Sequence, residues 1–487
     1  MSSSEAATGL QHNTSDGSAN TPDHRALIAV DLGAESCRVS LLRWRENIPH
    51  IELVHRFTHS AEQRNGGLRW NLQRIIDGVE AGLARCAEIA HEGVRSIAVD
   101  GWAVDYVRLD TNGTAVEDPF CYRDPRNAKA EAALYQVMAP SRLRELTGVQ
   151  LQPINTVYQQ YADRLEGIHA RWLNLPEYLL YRWGGKPVAE RTMATHSGMV
   201  ALDGNWCGEI ITAAGIRAHD APVLVEAGTI IGEYNGKIQH LHGASLIAPC
   251  CHDTAGAVAG IPAVGENWAY ISSGTWSLIG TVLEGPCNSA EAAEANFTNL
   301  GAAGGRVLFH KGISGMWLLQ QSMRSWNLTD VASLVDQARE QPTFPAAGLI
   351  DVDDPALAAP GDIPGCINAQ RVARGLAPIN DPPAMTRLIF ESLAARYASV
   401  LRSIATMTGK RFDAIYIVGG GSQNDLLNSL TEKATGLPVV RGAVESSTIG
   451  NFAVQLAALD GDTSAEHIAE YAGLLQRNLS PDIGARE

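Results

Sequence analysis

One pattern in this chain occurs twice and limits what it can fold into. ALIAVD, an apolar run starting at Ala26, is followed by the small-residue turn LGAESC and the alternating run RVSLLRW. Roughly one domain length later, NWAYISSGTWSLIGTVL repeats apolar run, small polar turn and apolar run. Each reads as a hairpin of two strands with a polar tip. A chain of 487 residues exceeds what one core fills, so two or three domains are expected. The repeated hairpin makes the halves variants of one plan. The Gly-rich stretch 256–265, with Pro262, is read as the passage between them.

Strands and helices alternate elsewhere. Leu72, Ile75, Ile76, Val79, Leu83 and Ala87 fall at helical spacing within residues 70–90, and Ser96 to Asp100 reads as a buried strand. Residues 173–183 read as a helix stopped by Gly184 and Gly185, and 187–200 as extended or turn-rich chain. Met385, Leu388, Ile389, Leu393, Tyr397, Val400, Leu401 and Ile404 mark a long helix. The strand AIYIV then runs into Gly419, Gly420 and Gly421, and further helices are expected over 426–434 and from Ala443.

With 38 Lys and Arg against 53 Asp and Glu, the net charge of −15 repels nucleic acid and anionic membrane, so neither is expected as a partner. An anionic ligand must be held locally. The eight cysteines include no CxxC pair and are read as reduced thiols. Residues 1–24 have neither a basic start nor an apolar block, and read as a disordered tail. A cytoplasmic protein is the resulting expectation.

Four places combine small residues with a hydroxyl or carboxylate: DLGAES (31–36), HDT (252–254), SSGTWS (272–277) and GGGSQN (419–424). Small residues at a hairpin tip let backbone N–H groups approach phosphate oxygens, so both turns are candidate phosphate cradles. No GxxxxGK[ST] or GxGxxG is present. Asp31 ends an apolar strand, where a carboxylate is costly to bury unless it meets donors or a cation such as Mg²⁺; capping the turn is the alternative. Asp253 lies in a stretch poor in charge, and reads either as a general base or as the cap of the helix-compatible run TAGAVAG. Cys250, Cys251, His252 and Asp253 are consecutive and cannot easily wrap one ion. Trp102, Asp105, Tyr106, Arg123, Asp124 and Arg126 suit a polyhydroxylated ligand or a solvated loop. His196 reads as an ordinary surface or core residue.

From about Ala26 to about Leu459 these motifs resemble the FGGY carbohydrate kinases. AVDLGAESCRV is similar to the first phosphate hairpin of that family, WAVDYVRLD and CYRDPRN to its sugar-domain segments, and CCHDTAGAV to its catalytic segment. AYISSGTWSLIG resembles the second phosphate hairpin, GMWLLQ a family helix, IVGGGSQNDLLN the adenosine segment and VESSTIGN the closing motif. GVQLQPINTVYQQYA resembles the members acting on L-rhamnulose rather than on glycerol or xylulose.

The resemblance implies an α/β fold of two ribonuclease-H-like, actin-like domains with an interdomain cleft. Residues 25–262 would form the sugar and phosphate side and 263–487 the nucleotide side. It implies ATP and Mg²⁺ as cofactors, a small-molecule ketose as partner, and a monomer or homodimer. Asp253 would activate the sugar 1-hydroxyl, with Trp102, Ala103, His252 and Thr254 around the sugar. Ala34, Glu35, Ser36, Cys37, Arg38 and Thr275 would surround the ATP phosphates, with Gln320, Gly419, Gly420 and Gly421 along the nucleotide. Asp31 would orient hydrated Mg²⁺. Three positions depart from the family pattern: Cys37 and Ala103 stand where glycine is usual, and Gly312 replaces an asparagine sugar contact, for which a neighbour such as Asn296 or Asn299 would have to substitute. Phosphorylation of L-rhamnulose is the leading expectation. Fuculose, xylulose or ribulose as the ketose, an actin-like or chaperone-like ATPase, and a non-catalytic sugar sensor are the alternatives.

Overall fold

The computed structural model describes residues 23–358 and 361–478. Most of the expected tail, residues 1–22, lies outside these. Its last two residues are packed: Asp23 pairs with Arg95 at 3.4 Å, and His24 stacks on Trp44 with ring centroids 5.4 Å apart.

Two six-stranded sheets carry the architecture. The first contains β1 (Ala26–Leu32), β2 (Ser36–Arg45), β3 (Ile48–Thr58), β4 (Val94–Gly101), β5 (Thr229–Glu233) and β6 (Ser245–Ala248), in the order β5-β6-β4-β1-β2-β3. The second contains β7 (Trp268–Ser273), β8 (Trp276–Leu283), β9 (Thr298–Gly301), β10 (Val307–Ser314), β11 (Ala414–Val418) and β12 (Val439–Arg441), in the order β9-β10-β8-β7-β11-β12. In both, an antiparallel hairpin (β1–β2, β7–β8) extends to a third antiparallel strand on one side and to two parallel strands on the other. The two halves therefore share a five-strand topology and differ in the sixth strand, which adds antiparallel to β6 in the first sheet and to β10 in the second.

Why these elements form follows from where apolar side chains fall. β1 is buried along its whole length, as a near-continuous apolar run requires when helices cover both faces. Helix α1 (Leu72–Ile89) starts at Asn71, whose side chain accepts from the Arg74 N–H, and buries Leu72, Ile75, Ile76, Val79 and Leu83. Helix α2 (Thr156–Leu165) belongs to a satellite core. Helices α3 (Asp253–Ala259) and α5 (Ser446–Asp460) pack between the sheets, where Leu27 and Ala29 meet Val258, Tyr270, Ile449 and Phe452. The long helix α4 (Pro382–Thr408) begins at the Asp381 cap, ends at left-handed Gly409 and fills the second core.

The structure corrects several local readings. The Gly-rich stretch is not wholly a linker, because α3 runs through Gly256. Its glycines serve close packing instead: a Cβ on Gly450 of α5 would overlap the Gly256 carbonyl, and one on Gly260 would meet the Ser446 carbonyl. Residues 173–183 divide into a strand, Arg171–Asn174, and a helix, Leu175–Arg182, because Leu173 pairs with Val107. Within 187–200, Arg191–Thr195 is helical because the Glu190 carboxylate caps its N–H groups. Cys37 needs no glycine-like freedom: it is extended, buried and paired with Leu32.

Gly450→Ala is expected to destabilise the chain by at least about 1–3 kcal/mol, the usual cost of overpacking, because backbone rather than a flexible side chain must move. Urea denaturation measures it. Gly243→Ala, whose Cβ would meet nothing within 4 Å despite a strained φ, is the milder comparison.

Candidate active site

The expected residues gather around the ends of the strands. Asp31 closes β1 and Asp100 lies beside it in the register of the parallel neighbour β4. Asp253 begins α3, and it is not that helix's cap: His252 occupies the cap position, while Asp253 Oδ1 accepts from the Thr254 N–H at 2.5 Å and its hydroxyl at 3.2 Å. The three carboxylates repel one another. Burial first, then Asp31, pushes Asp100 well above the usual carboxylate range, and the same causes push Asp253 up to about 7. The Asp253 side chain remains 38% exposed, open on the side where a ligand would enter.

α5 supplies the donors that make this tolerable. Ser447 donates to Asp31 Oδ2 at 2.9 Å, where Arg38 also donates at 3.0 Å. Asn451 donates to Asp100 Oδ2 at 2.5 Å, and Gln455 donates to Asn451, to the Ile28 carbonyl and accepts from Ser96. All but Ser447 and Arg38 among these polar side chains are buried. Arg38 also reaches Glu445 at 3.4 Å, so the first hairpin is tied to the closing motif twice, through Ser447 and through Glu445.

HDT is anchored from below. Buried Glu190 accepts from the Cys251 N–H at 2.9 Å and from Thr192, whose hydroxyl accepts from the His252 N–H at 3.2 Å. Glu177 accepts from the Glu190 N–H, and its second oxygen is buried without a partner. Burial pushes Glu177 up to about 8 and Glu190 to about 7. His252 Nε2 lies 3.3 Å from Asp253 Oδ1, and burial drives its pKa down to about 3, so the imidazole beside Asp253 is neutral. His196, read from sequence as ordinary, stacks edge-on to His252 at 4.3 Å, and both rings have a buried, unpartnered Nδ1.

Trp102 and Ala103 form an adjoining wall. The Trp102 indole donates to Asp105 Oδ2 at 3.0 Å, as Trp70 does at 2.6 Å, and Gln159 donates to its other oxygen at 3.1 Å. Between them Val104 has φ of 74°, a conformation costly for a β-branched residue. Its carbonyl is held by the Thr156 hydroxyl at 2.8 Å and by Gln159 at 3.2 Å, both on α2. The stretch GVQLQPINTVYQQYA thus shapes this turn. Arg126 and Asp124 do not face a ligand: Arg126 binds Asp163 and lies over Phe120, and Asp124 accepts from the Leu68 N–H. Asn299 is not free to replace the missing asparagine, since it bridges Cys287 and Gly148.

The second hairpin joins the glycine segment. A Cβ at Gly419, whose φ is 82°, would press on the Ser273 carbonyl, and Gly274 and Thr275 carbonyls accept from Met316, Gly315 and Trp317. Thr275 and Gly420 are exposed, as is Gln320 on the helix Trp317–Trp326.

Residues 26–260 match the N-terminal domain, and 269–459 the C-terminal domain, of the FGGY family of carbohydrate kinases. The chain belongs to that family. FGGY kinases phosphorylate sugars with ATP. A rhamnulokinase from Enterococcus faecalis is 35% identical over 90% of each chain, and one from Bacteroides thetaiotaomicron 33% identical over 93% of this chain and 94% of the relative. A xylulose kinase from Lactobacillus acidophilus superposes with a TM-score of 0.74 at 17% identity, covering 93% of this chain and 96% of its own. A glycerol kinase from Plasmodium falciparum with ADP does so with the same score at 12% identity, covering 93% of each. Among the described residues no helix is long and apolar enough to cross a membrane.

Glu177 gives a pH test of the packing under HDT. Its folded pKa is raised, so the unfolded chain ionises first as pH rises and stability is lost between about 4.5 and about 8. Glu177→Gln is expected to flatten that decline, gaining on the order of a few kcal/mol over the wild type at pH 8 and little at pH 4. Urea midpoints across the range measure it.

Proposed function

We propose that this FGGY kinase transfers the γ-phosphoryl group of ATP to the 1-hydroxyl of L-rhamnulose, giving L-rhamnulose 1-phosphate and ADP, in the cytoplasm. The observation that carries the reading is Asp253: a carboxylate with proton affinity near neutrality, open on one side, beside the neutral imidazole of His252. The names of the relatives and the α2 segment that shapes the Val104 turn support the sugar.

Asp253 accepts the proton of the 1-hydroxyl as its oxygen bonds to phosphorus and the β–γ bridge oxygen leaves with ADP. His252, Thr254 and the wall at Trp102 and Ala103 orient the ketose. Neutral imidazoles suit hydroxyl recognition, because each nitrogen either donates or accepts without a charge to desolvate. The backbone of residues 34–38 and Thr275 receives the phosphates, and Gln320 with residues 419–421 borders the nucleoside. Among the described residues no group of three or more His, Cys, Asp or Glu is placed to hold a metal ion by itself. The acidic pair Asp31 and Asp253 fits a cation arriving on the phosphates and held partly through water, as Mg²⁺ is. When bound, Mg²⁺ neutralises phosphate charge. Arg38 and Ser447 keep Asp31 in place to receive it.

Gly312 favours a second reading, another ketose such as fuculose, xylulose or ribulose. It offers no side chain where the family has an asparagine, Leu278 fills the space over it, and Asn299 is engaged elsewhere. A panel of ketoses with coupled ADP detection and mass analysis of the product separates the two. The largest kcat/KM is expected for L-rhamnulose; a clear preference for another sugar replaces the substrate, and ADP release at full rate without any sugar replaces the kinase.

Asp253→Asn is expected to lower kcat by roughly 10²- to 10⁴-fold with nucleotide affinity nearly unchanged. In the wild type, kcat/KM is expected to fall as pH drops below about 7, because only ionised Asp253 accepts the proton. A rate independent of pH between 5.5 and 8 removes Asp253 from that role.

A further inference from the structure

His59 follows directly on β3 and touches both halves of the site. Its N–H donates to the Glu35 carbonyl at 3.2 Å, and its ring Nε2 lies 2.7 Å from the Gly33 carbonyl. A carbonyl only accepts, so Nε2 carries the proton and donates. The other nitrogen, Nδ1, is buried without a partner, and burial lowers the pKa of the ring, leaving it neutral. The ring is stacked on Trp102, with centroids 5.4 Å apart and planes 27° from parallel, and lies tilted on Trp70 at 5.3 Å. Trp102 also donates its own N–H to the Leu32 carbonyl at 3.0 Å. One imidazole therefore holds the first phosphate turn by its edge and the sugar wall by its face.

The edge contact has a directional effect. In a planar trans peptide the C=O and the following N–H point in opposite directions. Fixing the Gly33 carbonyl on His59 aims the Ala34 N–H away from His59, and fixing the Glu35 carbonyl does the same for Ser36. These are donors in the turn read as a phosphate cradle. The turn itself is tight, since a Cβ on Gly33 would lie 2.6 Å from the Ser36 carbonyl.

We propose that His59 is a positioning residue: through its bond to Gly33 it aims the backbone donors of the first phosphate turn, and through its stack on Trp102 it sets that turn in register with the sugar wall. The proposal rests on the reading of residues 34–38 as the phosphate site and of Trp102 as a sugar wall.

Two substitutions divide the roles. His59→Phe keeps a flat ring for Trp102 and removes the donor; His59→Gln keeps a donor and removes the ring face. Calorimetry compares adenosine with the non-hydrolysable triphosphate analogue AMP-PNP, without sugar. His59→Phe is expected to weaken AMP-PNP roughly tenfold, the worth of about one hydrogen bond, and to leave adenosine unchanged. His59→Gln is expected to restore most of that affinity while raising the KM of the preferred ketose several-fold, which His59→Phe does not. The proposal is overturned if neither variant differs from wild type, or if both weaken adenosine, AMP-PNP and ketose alike, as a loss of folding does. If wild type itself binds AMP-PNP no better than adenosine, the phosphate reading of the turn fails, separately from the role of His59.

Discussion

Carboxylates brought together out of water are the constraint around which this molecule is arranged. Asp31, Asp100 and Asp253 stand near enough to raise proton affinity at Asp100 and Asp253, and a fold that places them so must supply donors. Two of those donors, one for Asp31 and one for Asp100, come from a single helix more than three hundred residues downstream of both. Ser447 meets Asp31, Asn451 meets Asp100, and Gln455 ties Asn451 to Ile28 and Ser96. The first sheet is thus completed by the end of the chain. Helix Ser446–Asp460 approaches helix Asp253–Ala259 closely enough to need glycine at Gly450 and at Gly260, just past the end of the second helix, which brings the donors into reach.

The same arrangement appears at the turn around Trp102. Asp105 is buried, yet it accepts from two indoles and an amide, and its pKa rises only to about 6. Val104, in a backbone conformation that costs free energy, is held by Thr156 and Gln159. Strain at this turn is offset by the helix that follows the stretch GVQLQPIN. The stretch GVQLQPINTVYQQYA acts here through the shape of a loop. His252 and His196 complete the surroundings of Asp253 as neutral rings.

Much of the frame was legible because it follows from periodicity. The buried runs of Ala26–Leu32 and Trp268–Ser273, the spacing of Leu72 to Leu83 and the long apolar face from Met385 to Ile404 each became the expected element. The HDT segment and both hairpin tips were legible as small residues beside a hydroxyl or carboxylate. Misreadings arose where a long-range partner overrode a local pattern. Gly260 looked like part of a linker because the backbone it packs against, the Ser446 carbonyl, lies on a distant helix. Arg191–Thr195 looked irregular because its cap is a buried glutamate also engaged with Cys251. Asp253 read either as a base or as a cap, and the chain places it one residue past the cap position, which His252 occupies.

Sequence alone therefore determined the two hairpins, the α/β alternation and the family motifs, since each depends on neighbours within a turn or a strand. Only the tertiary structure decided which polar residues serve which carboxylate. His59 against Gly33, His196 against His252, Asn451 against Asp100 and Gln159 against Val104 carry no local signal. Hydrogen bonds and ring contacts act over a few ångströms of space, and chain folding sets that distance independently of separation along the sequence.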